Sequence, residues 1–142
     1  MQNKNTYEKL FKIVNKLKSS DDPKRKYEYL LWLGKKLESP KSNIIIPINK
    51  VKGCVSEVYV KATLVENKIF WEGYSDALIT KGLLSFLISG LSELTPKEVI
   101  NLNNEFIDDT GLKKSLTPSR SNGFLNILLK MKSQANELLI SK

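Results

Sequence analysis

The sequence contains no histidine and a single cysteine, Cys54. Without an imidazole, Ser-His-Asp and Cys-His catalysis are excluded. One thiol closes no internal disulfide. With no histidine beside it, it builds neither an ordinary zinc site nor an iron–sulfur cluster site within one chain. Any chemistry falls to Cys54 or to the carboxylates. Long apolar runs are also missing. The densest, Leu83 to Leu91, is broken by Ser85, Ser89 and Gly90 and is too short to span a bilayer. Residues Met1 to Tyr7 are polar, with no apolar signal-peptide segment after them. The expected compartment is therefore cytoplasmic, or an organelle if a transit peptide has been removed, and no membrane partner is expected.

The 142 residues are 41% hydrophobic, which fits one domain, 1–142, with a real core. The net charge of +8 is uneven: residues 1–50 carry 12 Lys and Arg against 5 Asp and Glu. A basic N-terminal third suits nucleic acid or an acidic protein. Its lysines, however, are scattered at helical spacing, as on a solvated helix face, with no aromatic RNA-binding signature beside them. No nucleic-acid partner is expected.

Tyr7, Leu10, Phe11, Val14 and Leu17 recur at three- and four-residue steps, which predicts an amphipathic helix. Asp22-Pro23 starts a second helix through an N-cap acceptor and a proline at the first position, and it runs to about Glu38. Pro40 and Pro47 break the pattern over residues 39–53, leaving a long loop. Within it, Ile44, Ile45 and Ile46 form either a short strand or an apolar plug. Val58, Val60, Ala62 and Leu64 then alternate with Glu57, Tyr59, Lys61 and Thr63, a period of two that predicts a half-buried strand. Glu66-Asn67-Lys68 turns the chain into a returning strand, Ile69 to Tyr74. Ala77 to Gly90 is apolar on nearly every side and predicts a covered central helix. Thr95-Pro96-Lys97-Glu98 starts a short helix with a capping box, and part of 101–109 is helical. Thr117-Pro118 starts the last long helix, whose apolar face runs Phe124, Leu128, Met131, Ala135 and Leu138. This order predicts an α+β domain: a small antiparallel sheet, a hairpin with a candidate third strand, covered by helices.

Cys54 is placed at the junction of the long loop and the first strand, after Gly53 and two residues before Ser56. A thiol on a loop tip reaches into another protein, whereas many lone cysteines are simply small buried hydrophobes. Asp76, before the central helix, reads chiefly as that helix's cap. Arg120 lies in the first turn of the last helix, where a cation is slightly unfavourable, so it calls for a partner such as Asp76 or an external anion, unless it is simply exposed. Lys81 reads as the solvated end of a buried helix.

Three blocks together resemble the SufE family of sulfur acceptors. They are Val51-Lys52-Gly53-Cys54-Val55-Ser56-Glu57-Val58-Tyr59, Gly73-Tyr74-Ser75-Asp76-Ala77-Leu78-Ile79-Thr80-Lys81-Gly82-Leu83 and Leu116-Thr117-Pro118-Ser119-Arg120-Ser121-Asn122-Gly123. They match the family's G-C-x-S-x-V-aromatic, S-D-A-x-I-x-K-G-L and L-T-P-S-R-x-x-G patterns in order. A weaker match is Lys26-Tyr27 through Leu33-Gly34. Tyr59 stands where the family often has tryptophan. The resemblance implies a fold similar to the iron–sulfur scaffold proteins. It implies that Cys54 accepts persulfide sulfur from a cysteine desulfurase and stimulates it, for iron–sulfur cluster assembly, and that a downstream assembly scaffold receives the sulfur. Gly53, Ser56, Asp76, Lys81 and Arg120 would support the thiol or dock the partner. No cofactor is expected in this chain, since the pyridoxal phosphate belongs to the desulfurase. The protein would be an accessory rather than a stand-alone enzyme. The alternative is a regulator that docks on the desulfurase without carrying sulfur.

Overall fold

The computed structural model describes residues 5–141; Met1 to Lys4, part of the polar N-terminus noted above, lie outside them. Six helices and one hairpin follow in the order α1 (Glu8–Lys18), α2 (Pro23–Lys35), β1 (Val58–Val65), β2 (Lys68–Ser75), α3 (Leu78–Leu91), α4 (Pro96–Asn101), α5 (Phe106–Asp109) and α6 (Pro118–Ile140).

Local chemistry explains where the helices begin. Asp22 accepts from the Lys24 amide at 3.0 Å, with Pro23 at the first helical position. The Thr95–Glu98 box is reciprocal: Thr95 N–H donates to the Glu98 carboxylate at 2.9 Å and Glu98 N–H donates to Thr95 Oγ1 at 3.2 Å. Thr117 and Pro118 start α6 in the same way. The expected end of α2 at Glu38 moves back to Lys35, because the Lys36 amide turns onto Leu33 and the Leu37 amide onto Gly34.

β1 and β2 pair antiparallel from Val58↔Ser75 to Val65↔Lys68. Glu66 (φ 50°) and Asn67 (φ 65°) make the two-residue turn, whose left-handed angles match the twist of the strands. Val58, Val60, Ile69, Trp71, Gly73 and Ser75 share the buried face. On that face α3 lies against β2 and α6 against β1. α1 and α2 pack on α3, which makes α3 the centre of the domain. Phe86 of α3 meets Phe124 and Phe106 with ring centroids 5.3 and 6.3 Å away. Burying each such side chain contributes roughly 1.5–3 kcal/mol.

The candidate third strand does not form among the described residues. It is reduced to one bridge, Lys50↔Tyr59, beside β1. Pro47 turns the chain into a 3-10 turn, Pro47–Asn49, and Asn49 Nδ2 donates to the Ile44 carbonyl at 3.0 Å, which curls the segment on itself. Of the three isoleucines, only Ile44 is buried; Ile45 and Ile46 face outward.

Candidate functional site

Cys54 lies on a loop between the Lys50↔Tyr59 bridge and β1, which passes over α6 at Gly123 and Asn126. Side-chain hydrogen bonds hold the loop and the segment that leads into it. Asn126 Nδ2 donates to the Gly53 carbonyl at 3.1 Å, and Lys130 Nζ donates to the Ile48 carbonyl at 2.8 Å. The Glu57 amide donates to Asp76 Oδ1 at 3.1 Å. Gly53 sits at φ +79°, in the left-handed region, and a Cβ there would lie 2.5 Å from Asn126 Nδ2. The left-handed angle favours glycine at this position, and a Cβ there would push the Asn126 amide out of its place.

The thiol is half-buried, with Sγ 3.8 Å from the Gly123 carbonyl of α6. It borders a recess of about 300 Å³ lined by Ser56, Thr80, Leu83, Thr117, Ser119, Arg120 and Gly123. Ser56 Oγ and Thr80 Oγ1 are 3.3 Å apart, a hydroxyl pair that ties the loop to α3. Gly123 leaves the thiol side of α6 bare: a Cβ built there would come no nearer than 3.5 Å to Sγ. Burial pushes the Cys54 thiol up, because a thiolate loses hydration there. Among the described residues no three His, Cys, Asp or Glu side chains gather as a metal site.

Cys54, Ser56 and Arg120 thus come together in one recess, with Gly53 beside it. Asp76 serves a different purpose from the expected one. The N-cap position of α3 is Ala77, which offers no side-chain cap, and the Asp76 carboxylate instead fastens the residue before β1. The reason is direction: at the end of β2 its oxygen points across the hairpin to Glu57, while Ser75 Oγ receives the Ala77 amide at 3.3 Å. Arg120 forms no ion pair with Asp76; its Nη1 donates to the Tyr27 hydroxyl at 3.5 Å, linking α6 to α2. It does not offset the burial that raises the thiol. Lys81 stands outside the recess, with its Cβ against Gly34 where α2 crosses α3.

Sequence reasoning missed Thr80, Gly123, Asn126 and Lys130 as site residues. A signal did exist for the last two. Asn126, Lys130 and Gln134 recur at four-residue steps on α6, and all three donate to carbonyls, of Gly53, Ile48 and Val60. One polar stripe of α6 therefore holds both the loop and β1.

The family model described as SufE, Fe-S metabolism associated domain, matches residues 11–135. An uncharacterized SufE-like protein of Synechocystis sp. is 51% identical over 126 residues, covering 89% of this chain and 79% of that protein. The Arabidopsis thaliana SufE-like protein 1, chloroplastic/mitochondrial, is 41% identical over 92% of this chain. The cysteine desulfuration protein SufE of Plasmodium falciparum is 38% identical over 92% of this chain. The chain spans 35% of the plant protein's length and 55% of the plasmodial one's. Among solved structures, that of a hypothetical protein from Thermus thermophilus superposes with a TM-score of 0.80 at 23% identity, covering 93% of this chain and 96% of that one. At that identity the likeness concerns the fold. No helix among the described residues is long and apolar enough to cross a membrane.

Proposed function

Because this chain belongs to the SufE family, whose domain is associated with Fe-S metabolism, we propose that Cys54 accepts persulfide sulfur from a cysteine desulfurase, stimulates that enzyme, and passes the sulfur to an iron–sulfur assembly scaffold. The observation that carries this reading is the placement of the chain's one thiol. It stands on an anchored loop over a recess with room beyond Sγ and without metal-ligand partners among the described residues.

The transfer is a thiol–persulfide exchange. Cys54 Sγ, as thiolate, attacks the outer sulfur of the partner's cysteine persulfide. A bond forms between Sγ and that sulfur, and the partner's sulfur–sulfur bond breaks. The partner's cysteine leaves as thiolate and takes up the proton that Cys54 released. No net oxidation occurs, so no other reactant is needed. The pyridoxal phosphate that generates the persulfide belongs to the desulfurase.

In the resting conformation the thiol is a poor nucleophile, since burial disfavours its ionised form. Docking draws the loop out and ionises the thiol in the partner's site. Val55, 88% exposed next to the thiol, is the first apolar group that a partner meets. Leu78, at the start of α3, is another exposed apolar side chain, 70% exposed.

The test is the intact mass of the protein after incubation with an active cysteine desulfurase and cysteine. A gain of one sulfur atom, removed by reductant and absent from Cys54→Ser, is the expected result. Equal gain by the Cys54→Ser variant overturns the assignment. Stimulation of the desulfurase that survives loss of the thiol marks a docking regulator instead.

A further inference from the structure

The recess beside Cys54 carries a charge that the thiol does not use. Besides the thiol, its lining holds one ionisable group, the Arg120 guanidinium, and no carboxylate. Arg120 donates through Nη1 to the neutral Tyr27 hydroxyl at 3.5 Å. Among the described residues no carboxylate stands within ion-pair distance of it. The other N–H groups of its planar fork have no partner there either. Arg120 does not offset the burial that raises the thiol, so its charge serves another part of the recess.

Four hydroxyls share the lining, in two pairs. Ser56 Oγ and Thr80 Oγ1 are 3.3 Å apart, and so are Thr117 Oγ1 and Ser119 Oγ. Each pair commits one hydroxyl hydrogen and leaves the other for a further acceptor. A guanidinium among hydroxyl donors, with no acid beside it, fits an oxyanion, which the fork grips by two oxygens at once. Gly123 leaves the thiol side of α6 bare. The recess, about 300 Å³, has room for the outer sulfur of a persulfide and a small anion together. An oxyanion held there stands next to an electrophilic sulfur. Sulfite has a lone pair on its sulfur with which to attack it, whereas sulfate and phosphate have none on their central atoms.

Resting on the reading of Cys54 as a sulfur carrier, we propose a second acceptor for its sulfur: sulfite, held by Arg120 and the recess hydroxyls, takes the outer sulfur and leaves as thiosulfate. The sulfite lone pair attacks the outer sulfur of the Cys54 persulfide. The new sulfur–sulfur bond belongs to thiosulfate, and the bond from Sγ to the outer sulfur breaks. Cys54 leaves as thiolate and takes up the proton of the persulfide. The sulfite sulfur is formally oxidised and the transferred sulfur formally reduced by the same electron pair, so no outside oxidant or reductant enters. The chain thereby returns to its free thiol without an assembly scaffold.

The test loads Cys54 without a desulfurase, by displacing thionitrobenzoate from its mixed disulfide with sulfide, and intact mass verifies the added sulfur. Loss of that sulfur and formation of thiosulfate are then followed as sulfite is varied at constant ionic strength. The rate saturates with sulfite, and sulfate slows it competitively. Arg120→Gln lowers the rate at low sulfite at least about tenfold, as expected for losing charge-assisted hydrogen bonds, and abolishes the effect of sulfate. Removal of the sulfur by dithiothreitol, which offers the fork no oxyanion, is the same in parent and variant. Ser119→Asp is a second variant. An acid in the first turn of α6 suits the helix dipole and keeps the fold, while its charge on the lining slows sulfite by a similar factor. In the unloaded parent, sulfate slows alkylation of Cys54 by iodoacetate more than by iodoacetamide, and in Arg120→Gln it does not. A rate without saturation, or one equal in the parent and both variants, overturns the proposal. Failure of a desulfurase to load Cys54, with saturation by sulfite intact in the chemically loaded protein, strikes the desulfurase reading alone.

Discussion

Asn126 donates through Nδ2 to the carbonyl of Gly53 at 3.1 Å, one residue before the thiol. Its side chain also fills the space that a Cβ at position 53 would take. The α6 side chain and the left-handed glycine thus set the position of Cys54 jointly. Asn126→Ala removes one hydrogen bond, worth about 0.5–1.5 kcal/mol. The expected outcome is alkylation of Cys54 by iodoacetamide several-fold faster than in the parent, with the melting temperature only slightly reduced. An unchanged rate would show that the loop is held without Asn126.

Gly123 separates accommodation of a thiol from accommodation of a persulfide. A Cβ at 3.5 Å from Sγ is in ordinary contact, so Gly123→Ala tolerates the reduced cysteine. As a helix substitution it is expected to be neutral or stabilising by up to about 1 kcal/mol. A persulfide places a second sulfur about 2 Å beyond the first. In Gly123→Ala that sulfur has less room in the recess and is pushed toward solvent. Mass spectrometry after loading should show faster loss of the added sulfur to reductant than in the parent. Equal lifetimes in the two proteins would remove Gly123 from the sheltering of sulfur.

Burial raises the Cys54 pKa, which gives the thiol's reactivity and the protein's stability a defined pH dependence. The alkylation rate of the folded protein should rise with a midpoint above that of the same thiol in the unfolded chain. Between the unfolded and folded pKa values the unfolded chain has lost the proton and the folded chain has kept it. The contribution to stability is therefore fully present below the unfolded pKa and is lost as pH rises through the folded one. Denaturation in urea, compared between the parent and Cys54→Ser across the alkaline range, measures it. The parent should lose more stability than the variant as pH rises.

The crossing of α2 and α3 is the point least tolerant of added volume. A Cβ at Gly82 would stand 2.1 Å from the Leu30 carbonyl oxygen, and backbone cannot swing aside as a side chain can. Gly82→Ala should destabilise the domain by about 3 kcal/mol, at the upper end of overpacking costs. Urea unfolding monitored by Trp71, buried beside α3, would register this as a lower midpoint. An unchanged midpoint would mean that the helices part at no cost.

Which features were legible in the sequence depended on the reach of the interaction. Asp22-Pro23, Thr95-Pro96 and Thr117-Pro118 marked three helix starts, because a cap is closed by an amide two or three residues ahead. The alternation from Glu57 to Leu64 marked a strand, because a pleated backbone turns successive side chains to opposite faces. The anchors of the Cys54 loop were different. The Asp76 carboxylate looked like a helix cap because its sequence neighbours suit one, yet its partner is 19 residues away across the hairpin. Asn126, Lys130 and Gln134 lie off the apolar face of α6, and polar side chains at helical spacing read alike whether water or a carbonyl receives them.

The sequence by itself determined the element types, most of their boundaries, and that any thiol chemistry rests on Cys54. Those follow from periodicity, caps and residue chemistry, which act within a few positions along the chain. Only the tertiary structure decided that Ile44 alone of three isoleucines turns inward, that Asp76 serves the loop rather than the helix, and that Gly123 opens room at the thiol. The physical reason is that burial and hydrogen-bond partnership are properties of neighbours in space. These neighbours come from elements up to dozens of residues apart, and packing α3 between the hairpin and the other helices sets where each one stands.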